Sequence, residues 1–300
     1  MEHVWLHRYS IFVAASTLCL VVAGALVTSQ EAGLSVPDWP LSYGKLMPEM
    51  TGGIWYEHGH RMVATAVGIL TIILALWLWR AEDRRWVRRL GWSALGAVVV
   101  QGVLGGLTVI YLLPKPVSIS HACLAQLFFA ATVAVALFTS RSWRLGPALV
   151  DPAGGLPLRT LAPFVPVSVL AQLALGAAYR HKALDLVPHV AGAMVVTALA
   201  LLASIQVLMA YPRNRALRNS AMALLAIAVL QVFFGVGAYM SRVAAAGSPQ
   251  PMPVMVLFTV IHVAAGALTM AASVVFAIQV LRNVRRPMME APAGGLTATP

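Results

Sequence analysis

The chain has 300 residues, of which 60% are hydrophobic and only 10% are charged, and its mean hydropathy is +0.81. Soluble domains carry about a quarter charged residues, so the composition excludes an ordinary soluble protein and predicts an all-α integral membrane protein in contact with lipid. A net charge of +11 could indicate a nucleic-acid-binding protein. In a membrane protein it is more typical of basic cytoplasmic loops, so no nucleic-acid partner is predicted.

Eight apolar runs are long enough to cross a bilayer as helices. In chain order they are Tyr9–Ser29, Glu57–Trp79, Leu90–Leu113, Ser118–Thr139, Thr160–Tyr179, Val187–Ala210, Ser220–Ser241 and Met255–Leu281. The first run is too long for the apolar region of a signal peptide and is expected to be retained as a span. The loop 30–56 is rich in turn residues and is predicted to lie outside the membrane. Residues 287–300 are predicted to form a disordered tail.

The basic residues predict the orientation of the spans. Fifteen of the 21 Lys and Arg residues lie in the loops on one side, including the stretch RAEDRRWVRR that begins at Arg80. The other side carries six: Lys45, Arg61, Lys115, Arg180, Lys182 and Arg242. Loops rich in Lys and Arg face the cytoplasm, so both termini are predicted to be cytoplasmic, in the cell membrane of a bacterium or archaeon.

A short pattern recurs in the odd-numbered spans. Glutamine is followed four residues later by glycine in QGVLGG from Gln101, QLALGA from Gln172 and QVFFGV from Gln231, and LVVAGA from Leu20 has the same frame with leucine first. Glycine permits close helix approach, and glutamine can form a hydrogen bond between helices. The pattern predicts two pseudo-symmetric four-helix bundles, residues 1–145 and 146–286, related by an axis along the membrane normal. Chance similarity in a Gly- and Ala-rich sequence is the alternative.

Each even-numbered span carries a candidate ligand histidine near its outer end. The four are His60, His121, His189 and His262. Imidazole is costly in lipid and usually faces a bundle interior or a cofactor. Haem iron takes two axial nitrogen ligands between helices, so His60 is predicted to pair with His121, and His189 with His262. Zinc would need more ligands close together.

A carboxylate distinguishes the first half from the second. Glu57 lies three residues before His60, on the same helical face. A carboxylate-bridged di-iron site would require this Glu-x-x-His spacing twice, and it occurs once. A partly desolvated carboxyl group can act as a general acid or base, so the N-terminal half is expected to perform chemistry while the C-terminal half holds a permanent cofactor. A solvated Glu57 near the helix N-terminus is the alternative.

Four basic residues are expected near the outer ends of the bundles. Arg61, Arg180, Lys182 and Arg242 could pair with the anionic propionates of haem. Each could instead be an interfacial residue whose charged end reaches water.

The chain resembles the haem A synthase family over nearly its whole length. The similar features are GLSVPDWPLSYGKLMPE in the first outer loop, EHGHR at the start of span two, and the histidines of spans four, six and eight. The resemblance implies oxidation of the C8 methyl of haem O to the formyl of haem A by successive hydroxylations. It implies that His189 and His262 bind a b-type haem, that His60 and His121 hold the substrate haem, and that Glu57 is the catalytic carboxylate.

The chain departs from the family at one point. Many bacterial members carry a cysteine pair in the first outer loop, where this chain has Val36 and Ser42, so a redox role of that pair does not transfer. Haem O synthase and cytochrome oxidase assembly factors are candidate partners. The alternatives are a bis-histidine b-type cytochrome that passes electrons from quinol, which needs no Glu57, and a parallel-repeat solute transporter, which would carry charges at mid-membrane.

Overall fold

The computed structural model describes residues 2–155 and 157–286 and is all-α, which confirms the predicted fold class. Its helices are α1 (Glu2–Ser29), α2 (Gly52–Ala81), α3 (Arg85–Ile110), α4 (Lys115–Thr139), α5 (Arg141–Arg144), α6 (Leu158–Leu161), α7 (Phe164–Arg180), α8 (Leu186–Ala210), α9 (Arg215–Ala244) and α10 (Pro253–Asn283). No strand occurs in the described ranges. The predicted tail 287–300 lies outside them.

Within the described residues, eight helical segments are long and apolar enough to cross a membrane, as predicted. The protein is therefore a multi-pass membrane protein. Helices α6 and α7 together form the fifth span, Leu158–Arg180. They are separated at Pro163, where proline lacks an N–H and its ring clashes with the preceding turn.

Several helices extend past the apolar runs. Helix α2 begins at Gly52 rather than Glu57, so the first outer loop is 30–51 rather than 30–56. Helix α9 begins at Arg215, five residues before the predicted start. Hydropathy marks the part of a helix that lies in lipid, whereas backbone hydrogen bonding continues into the polar interface.

The helices form two rings of four. In the first ring, α1 packs on α2, α2 on α3, α3 on α4 and α4 on α1; α7, α8, α9 and α10 repeat the same order. The rings meet where α10 contacts α1 and α4, and where α4 contacts α7. Exchanging the two rings leaves this contact pattern unchanged. The packing is consistent with the predicted repeat, with α1 equivalent to α7 and α2 to α8.

Apolar side chains fill the contact between the rings. One cluster joins Val21 of α1 and Phe129 of α4 to Ala267 and Ala271 of α10. Small residues on α10 let the neighbouring helices approach closely. Helix α10 is thus the central packing element, and it holds the two rings together.

A buried carboxylate organises the ends of the helices predicted to face the cytoplasm. The Glu82 side chain is 1% exposed and forms ion pairs with Arg84 Nε at 2.7 Å and Arg144 Nη2 at 3.0 Å. Arg84 Nη2 also donates a hydrogen bond to the Phe138 carbonyl oxygen. Burial alone would raise the pKa of Glu82, but the hydrogen bonds and charge of Arg84, with the charge of Arg144, lower the pKa overall.

We expect Glu82→Gln to lower the free energy of unfolding by roughly 1–3 kcal/mol at pH 7, because it removes the partner of two arginines. Since the pKa of Glu82 is lowered by folding, its contribution is present above the ordinary carboxyl pKa and is lost as pH falls through the lowered value. The wild-type advantage in thermal unfolding should therefore shrink as pH falls below the ordinary carboxyl pKa and vanish below the lowered pKa of Glu82.

Asp151→Asn is the matched control, since Asp151 pairs with Arg285 at 2.8 Å but its side chain is 77% exposed. Exposed ion pairs contribute little to stability, so this variant should unfold like the wild type. Equal effects of the two substitutions would contradict the role of Glu82.

Candidate functional site

Each of the four predicted histidines lies against a glycine of the preceding helix in its ring. The pairs are His60 on Gly24, His121 on Gly105, His189 on Gly176 and His262 on Gly235. A Cβ added to these glycines would lie between 2.9 and 3.2 Å from the imidazole Cε1 atom. Real Cβ atoms rarely come this close to another atom, so the absent side chain makes room for the imidazole. These are the glycines of the repeated sequence frame.

The glutamines of the frame contact the same histidines. Gln172 Nε2 donates to the backbone oxygen of His189 at 2.7 Å and lies 3.0 Å from its Nδ1. Gln101 Nε2 donates to the backbone oxygen of His121 at 3.0 Å and lies 3.3 Å from its Nε2. We call this pair of contacts, to the carbonyl and to the ring, the glutamine clamp. At the third glutamine of the frame, Gln231, the side-chain oxygen is buried without a hydrogen-bond partner and no clamp on His262 is formed.

The second histidine pair has a spacing that fits a shared metal ion. The ring centroids of His189 and His262 are 6.2 Å apart, and the ring planes are nearly perpendicular at 89°. Imidazole–metal bonds are about 2 Å long and a ring nitrogen lies about 1 Å from the ring centre, so the centroid separation matches that of two imidazoles that each turn a nitrogen toward one metal ion between them. His262 Nδ1 is also buried without a hydrogen-bond partner. These residues fit a haem iron.

The first histidine pair has similar features. The Nδ1 atoms of His60 and His121 are each buried without a hydrogen-bond partner, as that of His262 is. Among the described residues, no group of three His, Cys, Asp or Glu side chains comes together to hold a metal ion. The arrangement therefore offers paired imidazoles rather than the clustered ligands that zinc requires.

Glu57 is buried rather than solvated, since only 4% of its surface is exposed. Its Oε1 accepts a hydrogen bond from Arg61 Nη2 at 2.6 Å, and its Oε2 accepts one from the backbone N–H of Val36 at 2.8 Å. Arg61 is therefore the ion-pair partner of Glu57, one helical turn away, and Val36 belongs to the first outer loop. The residues three positions before His189 and His262 are Leu186 and Thr259, so neither histidine has a carboxylate at the position that Glu57 takes before His60.

Side chains near the start of α2 form hydrogen bonds with the first outer loop and hold it against the outer end of the first ring of helices. Arg61 Nη1 donates to the carbonyl oxygens of Asp38 at 2.7 Å and Leu41 at 2.9 Å. His58 Nδ1 lies 2.8 Å from Ser42 Oγ, and both residues are buried. Hydrogen bonding by the N–H of Gly44 is the main cause that lowers the pKa of Asp38 in the loop.

Trp39 of the same loop packs onto α3. A Cβ on Gly106 would lie 2.6 Å from the Trp39 ring, so the indole rests directly on the helix backbone. Gly106 follows Gly105, against which His121 lies. The loop thus reaches the outer end of the first histidine pair.

The basic residues predicted at the outer end of the second half differ in their surroundings. Lys182 and Arg242 line a cavity of about 370 Å³ together with Tyr179 and Asp185, and Arg242 lies over the Tyr179 ring. Arg180 instead donates a hydrogen bond to Ser29 Oγ of α1 at 2.7 Å. His181 is the next residue along the chain, and its pKa is lowered by burial and by the charge of Arg180.

Sequence reasoning missed the contacts of the first outer loop. The spacing of Glu57 and Arg61 is a usual ion-pair spacing on a helix and could have indicated their contact. Nothing in the sequence indicated that Trp39 rests on Gly106 or that Ser42 contacts His58, because these pairs join distant segments.

The chain matches the model of the family described as cytochrome oxidase assembly protein over residues 7–53 and 49–187, which is more than half of its length. The chain belongs to this family. The matched ranges contain Glu57, His60 and His121 and end just before His189. Family membership therefore bears most directly on the first histidine pair, and the second pair depends on its geometry.

Several relatives are similar over about half of the chain. A Heme A synthase from Symbiobacterium thermophilum is 34% identical over 138 residues, covering 44% of each protein. One from Halalkalibacterium halodurans is 31% identical over 163 residues, covering 50% of this chain and 53% of the relative. One from Alkalihalophilus pseudofirmus is 29% identical over 145 residues, covering 47% and 49%. The chain spans about half the length of the curated relatives it matches.

We expect Gly106→Ala to displace Trp39 and loosen the first outer loop, because the new methyl group would overlap the indole ring. Lys45 is the only tryptic site within 30–51 and is exposed, so trypsin should cut there several times faster in the variant. Gly102→Ala on the same helix is the control, since a Cβ there meets no atom within 4 Å. Equal cleavage of the two variants would show that the contact does not hold the loop.

Proposed function

We propose that this protein oxidises the C8 methyl group of haem O to the formyl group of haem A, the product used by cytochrome oxidase. The observation that carries the proposal is the asymmetry of two otherwise similar histidine pairs. Both pairs lie against glycines in matching rings, but only the first has a buried carboxylate on the histidine helix. Membership of the cytochrome oxidase assembly family and similarity to Heme A synthases support it.

The N-terminal half, 1–145, is the proposed substrate half. His60 and His121 are the ligands proposed for the iron of haem O. The first outer loop covers the outer end of this pair, with Trp39 against α3. A loop held by Arg61 and His58 excludes water from the reacting group, which favours reaction with the bound porphyrin over side reactions.

Glu57 is the proposed catalytic carboxylate. Conversion of a methyl to a formyl group is a four-electron oxidation that adds one oxygen atom, so it requires an external oxidant; a positioned carboxylate can accept protons released as the C–H bonds break. Its two hydrogen bonds, from Val36 and Arg61, leave further acceptor sites on its oxygens. Arg61 neutralises the buried negative charge, which would otherwise be costly. Glu57 is thus both paired and able to accept a proton.

The C-terminal half, 146–286, is the proposed site of a resident b-type haem bound by His189 and His262. The 6.2 Å separation of the two rings supports this assignment. A bound haem supplies one-electron redox chemistry at its iron. Lys182 and Arg242 line a cavity at the outer end of this half and are the proposed partners of its propionates. Arg180 is engaged with Ser29 and joins the halves.

The distribution of basic residues supports a topology in which the inner ends of the helices and both termini face the cytoplasm, so the proposed location is the cell membrane of a bacterium or archaeon. The histidine pairs then lie in the outer half of the bilayer. Haem O has to be supplied by a separate reaction, and a haem O synthase and cytochrome oxidase assembly factors are the proposed partners.

We expect Glu57→Gln to reduce haem A formation at least 100-fold in cells that supply haem O, because the substitution removes the proton acceptor. The measurement is haem extraction followed by mass analysis. The low-spin absorption spectrum of the resident haem should be unchanged, since His189 and His262 lie in the other half.

Ser42→Ala is the control for an indirect effect, because it loosens the first outer loop without altering the carboxylate. It should reduce haem A formation much less than Glu57→Gln. Normal haem A formation by Glu57→Gln would refute the assignment of Glu57. A protein that binds haem but never converts haem O would be an electron-transfer cytochrome, and a protein without bound haem would favour a transporter.

We expect Gly176→Ala to remove most of the resident haem, because the new Cβ would lie 2.9 Å from Cε1 of His189 and displace the ring. The measurement is haem per protein after purification, from the reduced-minus-oxidised spectrum. Gly102→Ala adds the same methyl group without a nearby atom and should retain full haem content. Equal haem content in both variants would show that the close contact between His189 and Gly176 is not needed to bind haem.

A further inference from the structure

Ser118 holds the position in α4 that Glu57 holds in α2. Glu57 lies three residues before His60, and Ser118 lies three residues before His121. Both helices begin at the outer end of the first ring, so a residue three positions earlier lies about one turn further out, on nearly the same helical face. Each histidine of the first pair therefore has a polar side chain one turn outward of it.

The faces of α2 and α4 that carry these residues are turned toward each other. Val67 and Phe128 each lie seven residues after the histidine of their helix, which is two turns inward on the same face. Both are buried and belong to one apolar cluster, to which all four helices of the first ring contribute. The register therefore places Glu57 and Ser118 on opposite sides of one space, outward of the histidine pair.

The hydroxyl group of Ser118 is buried and has no hydrogen-bond partner. The residue is 3% exposed, and its Oγ forms no hydrogen bond. Other buried hydroxyl groups of the spans donate to a carbonyl of their own helix, as Thr71 does to Val67. Among the buried hydroxyl groups of the described residues, only that of Ser204 on α8 also lacks a partner. A buried polar group without a partner is costly, so a ligand that supplies one is expected at Ser118.

The second ring offers no free hydroxyl group at the corresponding positions. The residues three positions before His189 and His262 are Leu186 and Thr259. Leucine has no polar group, and Thr259 Oγ1 donates a hydrogen bond to the Met255 carbonyl oxygen at 2.7 Å. The combination of a carboxylate and a free hydroxyl group thus belongs to the first site alone.

We propose that Ser118 is a further substrate-binding residue of the first site and forms a hydrogen bond with the oxygen atom that the reaction adds at C8. This inference rests on the proposed function. The first hydroxylation gives a hydroxymethyl group and the second leads to the formyl group. Both groups carry an oxygen that accepts a hydrogen bond from a serine O–H, whereas the methyl group of haem O does not. Ser118 therefore retains the half-oxidised substrate until the second oxidation, and it takes part in no bond-breaking step.

The position of Glu57 decides which part of the porphyrin meets Ser118. A propionate is an anion, and a buried carboxylate across the same space would repel it. Arg61 is already engaged by Glu57 and by the carbonyl oxygens of Asp38 and Leu41, so it does not offset that repulsion. The uncharged reacting group at C8 suits the space between a carboxylate and a hydroxyl group.

The test compares the binding of haem O and haem A, which differ only at C8. Purified full-length protein that retains its resident haem is titrated with each porphyrin without an added oxidant, and the dissociation constant is read from the absorption spectrum. Ser118→Ala should weaken haem A binding about threefold to tenfold, the effect of one hydrogen bond, and should leave haem O binding within about twofold. Resonance Raman spectra should show the formyl C=O stretch of bound haem A at a higher frequency in the variant, because a hydrogen bond to a carbonyl lowers that frequency.

Ser118→Thr and Ser118→Val are the matched pair, because the two side chains have nearly the same volume and only threonine retains the hydroxyl group. The threonine variant should bind haem A like the wild type, and the valine variant should bind it as weakly as Ser118→Ala does. Ser204→Ala is the control for the loss of a buried hydroxyl group, since Ser204 lies fifteen residues after His189, about four turns further along α8. It should change neither dissociation constant.

In cells that supply haem O, Ser118→Ala should raise the ratio of released hydroxymethyl haem to haem A about threefold to tenfold, measured by haem extraction and mass analysis. Wild-type affinity for haem A in both Ser118→Ala and Ser118→Val would overturn the inference. An equal loss of affinity for haem O and haem A would also overturn it, because Ser118 would then hold a part of the porphyrin other than C8.

The binding measurement separates this inference from the proposed function. If the protein fails to oxidise haem O, or if Glu57→Gln has no effect, the proposed function fails, and the preference for haem A over haem O in the Ser118 variants still decides the role of Ser118. A wild-type protein that takes up neither haem O nor haem A beyond its resident haem would overturn both.

Discussion

The close contact between an imidazole ring and the backbone of a glycine is the interaction on which the rest of this structure depends. It occurs four times, once for each histidine in the outer half of the spans. The contact requires that the preceding helix carry no side chain at that position, because a Cβ would come within 2.9–3.2 Å of the ring. It therefore sets both the approach of neighbouring helices and the place of each imidazole.

This contact links helix packing to the proposed chemistry. In each ring of helices, the histidines of the second and fourth helices contact glycines of the first and third helices. The imidazole groups are therefore oriented by the same packing that closes the bundle. For His189 and His262 the outcome is a centroid separation of 6.2 Å. The helix contacts thus hold the two imidazole rings at a spacing suited to iron.

The two halves differ in the polar groups around their histidines. Each ring has one clamped histidine, His121 in the first and His189 in the second, and the second ring has no buried carboxylate on its histidine helices. The first ring has Leu20 in place of the glutamine and a buried Glu57, paired with Arg61 and fastened to the first outer loop. A buried carboxylate under a covering loop suits the proposed substrate site.

The sequence by itself determined the fold class, the eight spans and the histidines, because the length of apolar runs and the cost of imidazole in lipid act locally. The Gln-x-x-x-Gly frame also indicated close approach and hydrogen bonding between helices. Hydropathy set the span ends only approximately, as the earlier starts of α2 and α9 show.

Only the tertiary structure decided which groups meet across the chain. The partner of Glu57 proved to be Arg61, with Val36 from the outer loop, and Trp39 proved to rest on Gly106. The frame residue Gln231 forms no clamp, although its sequence context matches that of Gln172. Such contacts depend on side-chain direction and on the path of a loop, which no local pattern specifies, because they join segments that come together only when the bundle closes.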